Sequence, residues 1–279
     1  MIKVSASSGT SLRIVGHGLS VDEDYAIATG VTVSPTIPVH PPSFGTTMGQ
    51  LHSAVTILNL EPLANFSLEI EHPEGGEALA RKAWNCLWDF SLLALACRSP
   101  MMSLYSVSGG EFSLANRNVL IRPLSAPARA GRAELDWAAS HYERFGALID
   151  EPRFQAAQRY YNNAHYLFDD DAKIMLLWAG IEGLLGVEAE LSRRIALHAA
   201  ILFDGDVTAK AAHFAEIKKA YGTRSKVVHG AGADAASLRK GYGFASGLLV
   251  GLLRKMVELG RVPSASELDD LAVGASLQS

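Results

Sequence analysis

The sequence predicts an α+β protein in two parts: a mixed, strand-rich N-terminal domain with one long helix over residues 1–123, and an all-helical bundle over 132–262. Three observations predict it. In the first part, short apolar runs are separated by Gly, Pro and Ser clusters, the punctuation of strands and turns. In the second part, apolar residues recur at three- and four-residue spacing almost without interruption, the pattern of amphipathic helices. Between them, 124–131 follows Pro123, contains Pro127 and several small residues, and reads as a linker. Residues 263–279 read as an acidic, poorly ordered tail. With 279 residues, 48% hydrophobic and 19% charged, the chain is globular in composition and long enough to bury a core without covalent staples.

Taken in order, the runs 12–15, 25–33 and 54–60 have strand character. The segment 34–43 holds Pro35, Pro38, Pro41 and Pro42, too many for a sheet interior, and is expected to be a loop or an edge crossing. A helix is expected over 78–96, where Trp84, Leu87, Trp88, Leu92 and Leu95 share helical spacing. Pro100 ends it, and strand-like runs follow at 101–107 and 118–121. The helical part opens with 134–149 and 153–167, with Asp150-Glu151-Pro152 supplying a stop and a start. Asp169, Asp170 and Asp171 place carboxylates at the positive end of the next helix, whose Ile174, Leu177, Trp178, Ile181 and Leu185 form a stripe before Gly186. Helices over 192–203, 208–221 and 234–259 complete an up-and-down bundle. Gly243, Gly247 and Gly251 recur at fours on the last, a row that invites close packing within the bundle or across a dimer.

Several classes of function have no footing. Cys86 and Cys97 lie on one predicted helix about 16 Å apart along its axis, too far for a disulfide, which fits a reducing compartment. The start of the chain lacks the apolar run of a signal peptide, and no stretch reaches the roughly 18 uninterrupted apolar residues of a membrane span. A cytoplasmic protein is expected. His17, His40, His52 and His72 lack metal-ligand spacing, and neither His-Glu-x-x-His nor Cys-x-x-Cys occurs, so no metal and no cofactor is expected. Gly16-His17-Gly18 lacks the third glycine of a dinucleotide turn, no phosphate-cradling loop ends in Lys-Ser or Lys-Thr, and Gly-x-Ser-x-Gly is absent.

The stretch that carries chemistry runs from Tyr221 to Gly230. It sets a permanently charged guanidinium, Arg224, five residues before an imidazole, His229, the two groups that phosphodiester chemistry needs without a metal. On a helix the two lie about 140° apart and flank one groove without touching. Ser225 falls inside that arc, where it can orient either group. Gly230 is the left-handed residue expected after a helix C-terminus, placing His229 in the last turn. The competing account of a last-turn histidine is a simple capping aid. Charge sharpens the first account. The net charge is −4, yet residues 207–262 hold ten Lys and Arg against three acids, a local +7 that coincides with this stretch. Solvated helix faces are the bland explanation of the same excess.

These residues resemble the HEPN superfamily, whose signature is Arg-x-x-x-x-His, and specifically the Apea-like HEPN domains. The likeness rests on Arg153-Phe154, on 173–185 (KIMLLWAGIEGLL), 190–200 (ELSRRIALHAA), 217–221 (IKKAY) and 224–230 (RSKVVHG), and covers roughly 150–260. It implies an all-helical homodimer acting as a metal-independent endoribonuclease, often within antiviral (abortive-infection) or toxin-like systems, with two copies of the site meeting across the interface. Two departures stand out: active members frequently carry Asn, Asp or His after the Arg, where this chain has Ser225, and the Tyr that some toxins place two residues after the His is Ala231.

Supporting residues follow from chemistry. Glu182, within an apolar helix, is either half-exposed or a partner for Arg193 or Arg224, since a partly buried carboxylate favours a guanidinium. Trp178 and Tyr221 read as core. Lys218, Lys219, Lys226 and Arg239 are candidate RNA phosphate contacts, or simply solvated. A different class of function stays open: a catalytically inactive HEPN-like domain that binds nucleic acid or protein, with the first domain as its sensor.

Overall fold

The computed structural model describes residues 9–38, 55–109, 111–114, 126–228 and 234–274, the side chains of 111, 114 and 226–228 excepted. The chain forms two compact units, Met1–Tyr142 and Glu143–Ser279. The α+β class holds: the first unit contains an antiparallel six-stranded sheet, and the second is helical.

In the first unit the strands are β1 (Ser11–His17), β2 (Leu19–Ser20), β3 (Tyr25–Ala28), β4 (Val31–Ser34), β5 (Phe66–Glu71), β6 (Met102–Ser108), β7 (Glu111–Leu114) and β8 (Ala128–Arg129). The large sheet has the order β3-β4-β5-β1-β6-β7, so β1 lies inside it, between β5 and β6. Alternation along β1 sends Leu12 and Ile14 into the core, while Arg13 stands opposite Glu69 of β5 and bonds its carboxylate at 2.6 Å. Gly16 marks a register shift in the pairing of β1 with β6. Only glycine fits there, because a Cβ would lie 2.4 Å from the Phe90 ring and 2.6 Å from the Phe66 ring. A second register shift, between Ala26 and Ala28, bulges β3 where it pairs with β4.

Three expectations for this unit are corrected. The run 54–60, read as a strand, is helical over its described part, 55–60 (α1), and continues into a 3-10 turn at Glu61–Leu63. A short apolar run carries no period that separates the two states. The single helix over 78–96 is α2 (Gly76–Asn85), a 3-10 turn (Cys86–Trp88) and α3 (Asp89–Cys97). The tightened turn falls where an amphipathic helix that buries only Leu79 and Ala83 gives way to one buried on every side from Asp89 to Ala96. The described part of the expected linker is not free chain, since β8 pairs in parallel with β2. The strand run 118–121 and the prolines from Pro41 onward lie outside the described residues. Cys86 and Cys97 are free thiols.

The helix α4 (Arg132–Leu148) follows β8, and the division between the units falls within it. The second unit continues with α5 (Pro152–Ala164), α6 (Asp170–Leu185), α7 (Leu191–Leu202), α8 (Val207–Val228), α9 (Ala235–Leu259) and α10 (Ala265–Ala272). Helix starts follow the chemistry of the sequence. Glu151 caps α5 by accepting from the Phe154 amide at 2.6 Å with Pro152 in the first turn, and Asp234 caps α9 by accepting from the amides of Ala236 and Ser237. Gly186 ends α6 in the left-handed region at φ 63°. The stripe Ile174, Leu177, Trp178, Ile181 and Leu185 is buried to within 1% of its surface, so α6 forms the middle of the bundle. Gly180 lets α9 approach it, as a Cβ there would lie 2.9 Å from Leu249.

Of the glycine row on α9, Gly251 lies under the Phe203 ring, whereas a Cβ at Gly243 or Gly247 would meet nothing within 4 Å among the described residues. The acidic tail is also corrected. Ser264 and Glu267 form a capping box that starts α10, Leu268 is buried, and Asp269 accepts from Arg194 at 2.6 Å and from His198 at 2.8 Å. No described helix is long and apolar enough to cross a membrane.

Asp89 makes the first unit sensitive to pH. It is buried beside Cys86 and accepts from the Tyr142 hydroxyl at 3.2 Å; burial pushes its carboxyl up to about 7 against relief from those two groups and from Lys82. The folded protein therefore holds a proton that the unfolded chain releases near 3.8, so this contribution is complete below 3.8 and is lost as pH rises through about 7. Asp89→Asn is expected to be more stable than the parent at pH 8 by roughly 2–4 kcal/mol, with the difference shrinking toward pH 5, in urea unfolding across that range. Parallel curves for the two proteins would show that Asp89 does not titrate this way.

Candidate functional site

The site is built on α8, a helix with little apolar surface. Among its described side chains only Ile217 and Tyr221 are buried. Tyr221 meets Trp178 of α6 edge to face, with centroids 5.2 Å apart at 87°. One turn further, where i and i+3 side chains share a face, the Arg224 guanidinium lies over the Tyr221 ring at 5.4 Å. Glu182, one turn beyond Trp178 on α6, joins both: the Tyr221 hydroxyl donates to its Oε1 at 3.1 Å, and Arg224 Nη2 lies 3.1 Å from Oε1 and 3.3 Å from Oε2.

This is a part-buried cluster in which about a fifth of each charged side chain is exposed, 24% for Arg224 and 18% for Glu182. A charge-assisted bond in such a place is stronger than on an open surface, and removing one partner leaves the other uncompensated. Burial, and next the Glu182 charge, raise the Tyr221 hydroxyl above its ordinary pKa, so it stays a neutral donor. The Arg224 Nε–H is buried and has no hydrogen-bond partner among the described residues. The guanidinium is thus braced by carboxylate and ring, with its Nε–H shielded from solvent.

The other expected residues distribute as follows. Ser225 is half-buried beside Arg224. Lys218, Lys219 and Arg239 are exposed on α8 and α9. His229 and the Lys226 side chain lie outside the described residues. Of the two guanidiniums expected as partners for Glu182, Arg224 takes it: Arg193 stands on the first turn of α7, 3.8 Å from Glu190 with both side chains about two-thirds exposed or more. Arg153 is a clamp. Its guanidinium donates to the carbonyls of Leu184, Val262 and Pro263 at 3.1–3.4 Å, holding the end of α6 to the chain that precedes α10.

Sequence reasoning took Tyr221 as core alone and missed its hydroxyl. Its position three residues before an arginine on a helix was the available signal. A second buried polar group also went unread. His165 Nδ1 bonds the Tyr242 hydroxyl at 2.5 Å, Lys173 lies over the Tyr242 ring at 5.0 Å and bonds Asp170 at 2.8 Å, and burial followed by the Lys173 charge lowers His165 to about 4. Lone histidines and tyrosines on helices give no sequence sign of such a network. No family model, curated protein or solved structure matches the chain.

The bracing predicts a measurable coupling. In a double-mutant cycle of Glu182→Ala and Arg224→Ala followed by urea unfolding, the pair is expected to show an interaction energy of about 1–2 kcal/mol, with the double variant less destabilised than the sum of the single ones. Strict additivity would show two independent surface side chains.

Proposed function

We propose that the chain is a metal-independent endoribonuclease of the HEPN type, acting as a homodimer, with Arg224, Ser225 and His229 as its catalytic group and an antiviral or toxin-like role. The observation that carries this reading is the bracing of Arg224 by the Glu182 carboxylate and the Tyr221 ring at the start of the Arg-x-x-x-x-His motif. A guanidinium held in one orientation suits phosphoryl oxygens whose negative charge grows in the transition state, because it need not reorganise as the reaction proceeds. In this mechanism the ribose 2′-hydroxyl attacks the adjacent phosphorus, the P–O5′ bond breaks, and a 2′,3′-cyclic phosphate and a 5′-hydroxyl result. His229 moves a proton, either from the attacking hydroxyl or to the departing O5′, and Ser225 orients either group. Lys218, Lys219, Lys226 and Arg239 contact phosphates and carry no sequence preference.

A second reading is favoured by the same pair: Glu182 neutralises Arg224, as in a structural ion pair, which suits an inactive module that binds nucleic acid or protein.

Activity separates the two. His229→Ala is expected to lower RNA cleavage by roughly two to four orders of magnitude with little change in unfolding, and Arg224→Ala to be similarly inactive. Arg224→Lys keeps the charge and loses the planar fork, and is expected to stay impaired. Cleavage is expected to persist in EDTA and to leave cyclic phosphate ends, resolved by gel mobility before and after acid treatment. Normal cleavage by His229→Ala, or no cleavage by the parent on any RNA, selects the binding module.

A further inference from the structure

The faces of α8 and α9 that meet enclose a pocket of about 220 Å³. Its floor exists because small residues lie where the two helices approach: Ala220 lines it from α8, and on α9 Gly241 comes so close that a Cβ would lie 3.3 Å from Thr223 and 3.2 Å from Ile174. Phe244, one turn beyond Gly241, supplies an aromatic wall. Lys219 and Lys240 stand at the rim with Glu216, and none of these three charges has an ion-pair partner among the described residues. Thr223 lines the pocket one residue before Arg224, and Ala220 lines it one helical turn before Arg224, so pocket and guanidinium belong to the same stretch of α8.

These features define a ligand. The volume is below the roughly 300–1,000 Å³ of pockets that hold drug-sized molecules, and matches one flat ring system. An aromatic wall accepts such a ring by stacking, and the stacking is indifferent to base identity because every base has a π-face. The Glu216 carboxylate accepts from ring or exocyclic N–H groups, and the Thr223 hydroxyl both donates and accepts. The two lysines suit the phosphates on either side. We infer that this pocket takes one unpaired base of a single-stranded RNA, flipped onto Phe244, and thereby fixes which phosphate reaches Arg224. The inference rests on the nuclease reading for its purpose but not for its binding, and it excludes duplex RNA, whose bases remain stacked.

The test is binding of a fluorescein-labelled twelve-residue single-stranded RNA, and of the same sequence annealed to its complement, to the full chain over a series of salt concentrations. Phe244→Ala and Phe244→Leu are expected to weaken single-strand binding about tenfold, to leave duplex binding unchanged, and to leave the salt slope unchanged because no phosphate contact is lost. Phe244→Trp retains a stacking face and is expected to bind as the parent does, which separates stacking from a folding defect. Lys219→Ala with Lys240→Ala is expected to flatten the slope instead. Parental affinity in both Phe244→Ala and Phe244→Leu, equal losses for single strand and duplex, or no single-strand binding by the parent would each overturn the pocket. Cleavage assays report separately on Arg224 and His229. A protein that binds through Phe244 but never cleaves keeps the pocket and loses the nuclease; one that cleaves with binding indifferent to Phe244 does the reverse.

Discussion

The carboxylate of Glu182 is the fixed point of the contact between α6 and α8. The helix that bears Arg224 buries only two described side chains, so hydrophobic contact alone sets its angular position loosely. A bond from Glu182 to a hydroxyl at one turn and a guanidinium at the next removes that freedom, because two donors one turn apart meet one acceptor in only one helical phase. The cost is a charged pair held mostly out of water, and ring contacts among Trp178, Tyr221 and Arg224 offset part of it. The pocket against α9 depends on the same constraint, since Thr223 turns into it only when Arg224 turns toward Glu182.

Glu182 itself is placed by packing. Neighbouring helices cover α6 on several sides, so its apolar positions bury Trp178 and Ile181 almost completely and leave the carboxylate with 18% of its surface exposed. Close approach of α9 at Gly180 and the Arg153 clamp at the end of α6 hold that helix at other points along its length. Rigid elements thus carry the braced guanidinium.

Much of this was legible in the sequence. The α6 stripe, its terminal glycine and the Glu151-Pro152 start all follow from period and capping, and an apolar helix with a lone glutamate pointed to an arginine partner. The choice of Arg224 over Arg193 was not legible, because it depends on which turn of a distant helix comes to rest beside Glu182. The α10 segment was misread on composition, although Ser264 with Glu267 three residues later is a capping box in plain view. The β2–β8 pairing is only two residues long, too short to leave a pattern. Nor does spacing show that α8 and α9 enclose a pocket, since small residues at Ala220 and Gly241 matter only once the two helices lie together.

The bulge in β3 bears on how the N-terminal sheet behaves in a crowded solution. This strand lies at the edge of the sheet, and an exposed edge offers unpaired backbone groups on which a strand of another molecule can grow. Four residues with a broken register give a visiting strand too short and too twisted a template to add in line. The irregularity between Ala26 and Ala28 thus acts as a guard against edge-to-edge aggregation at that side. A substitution that straightened β3 would put solubility at risk before it harmed the fold.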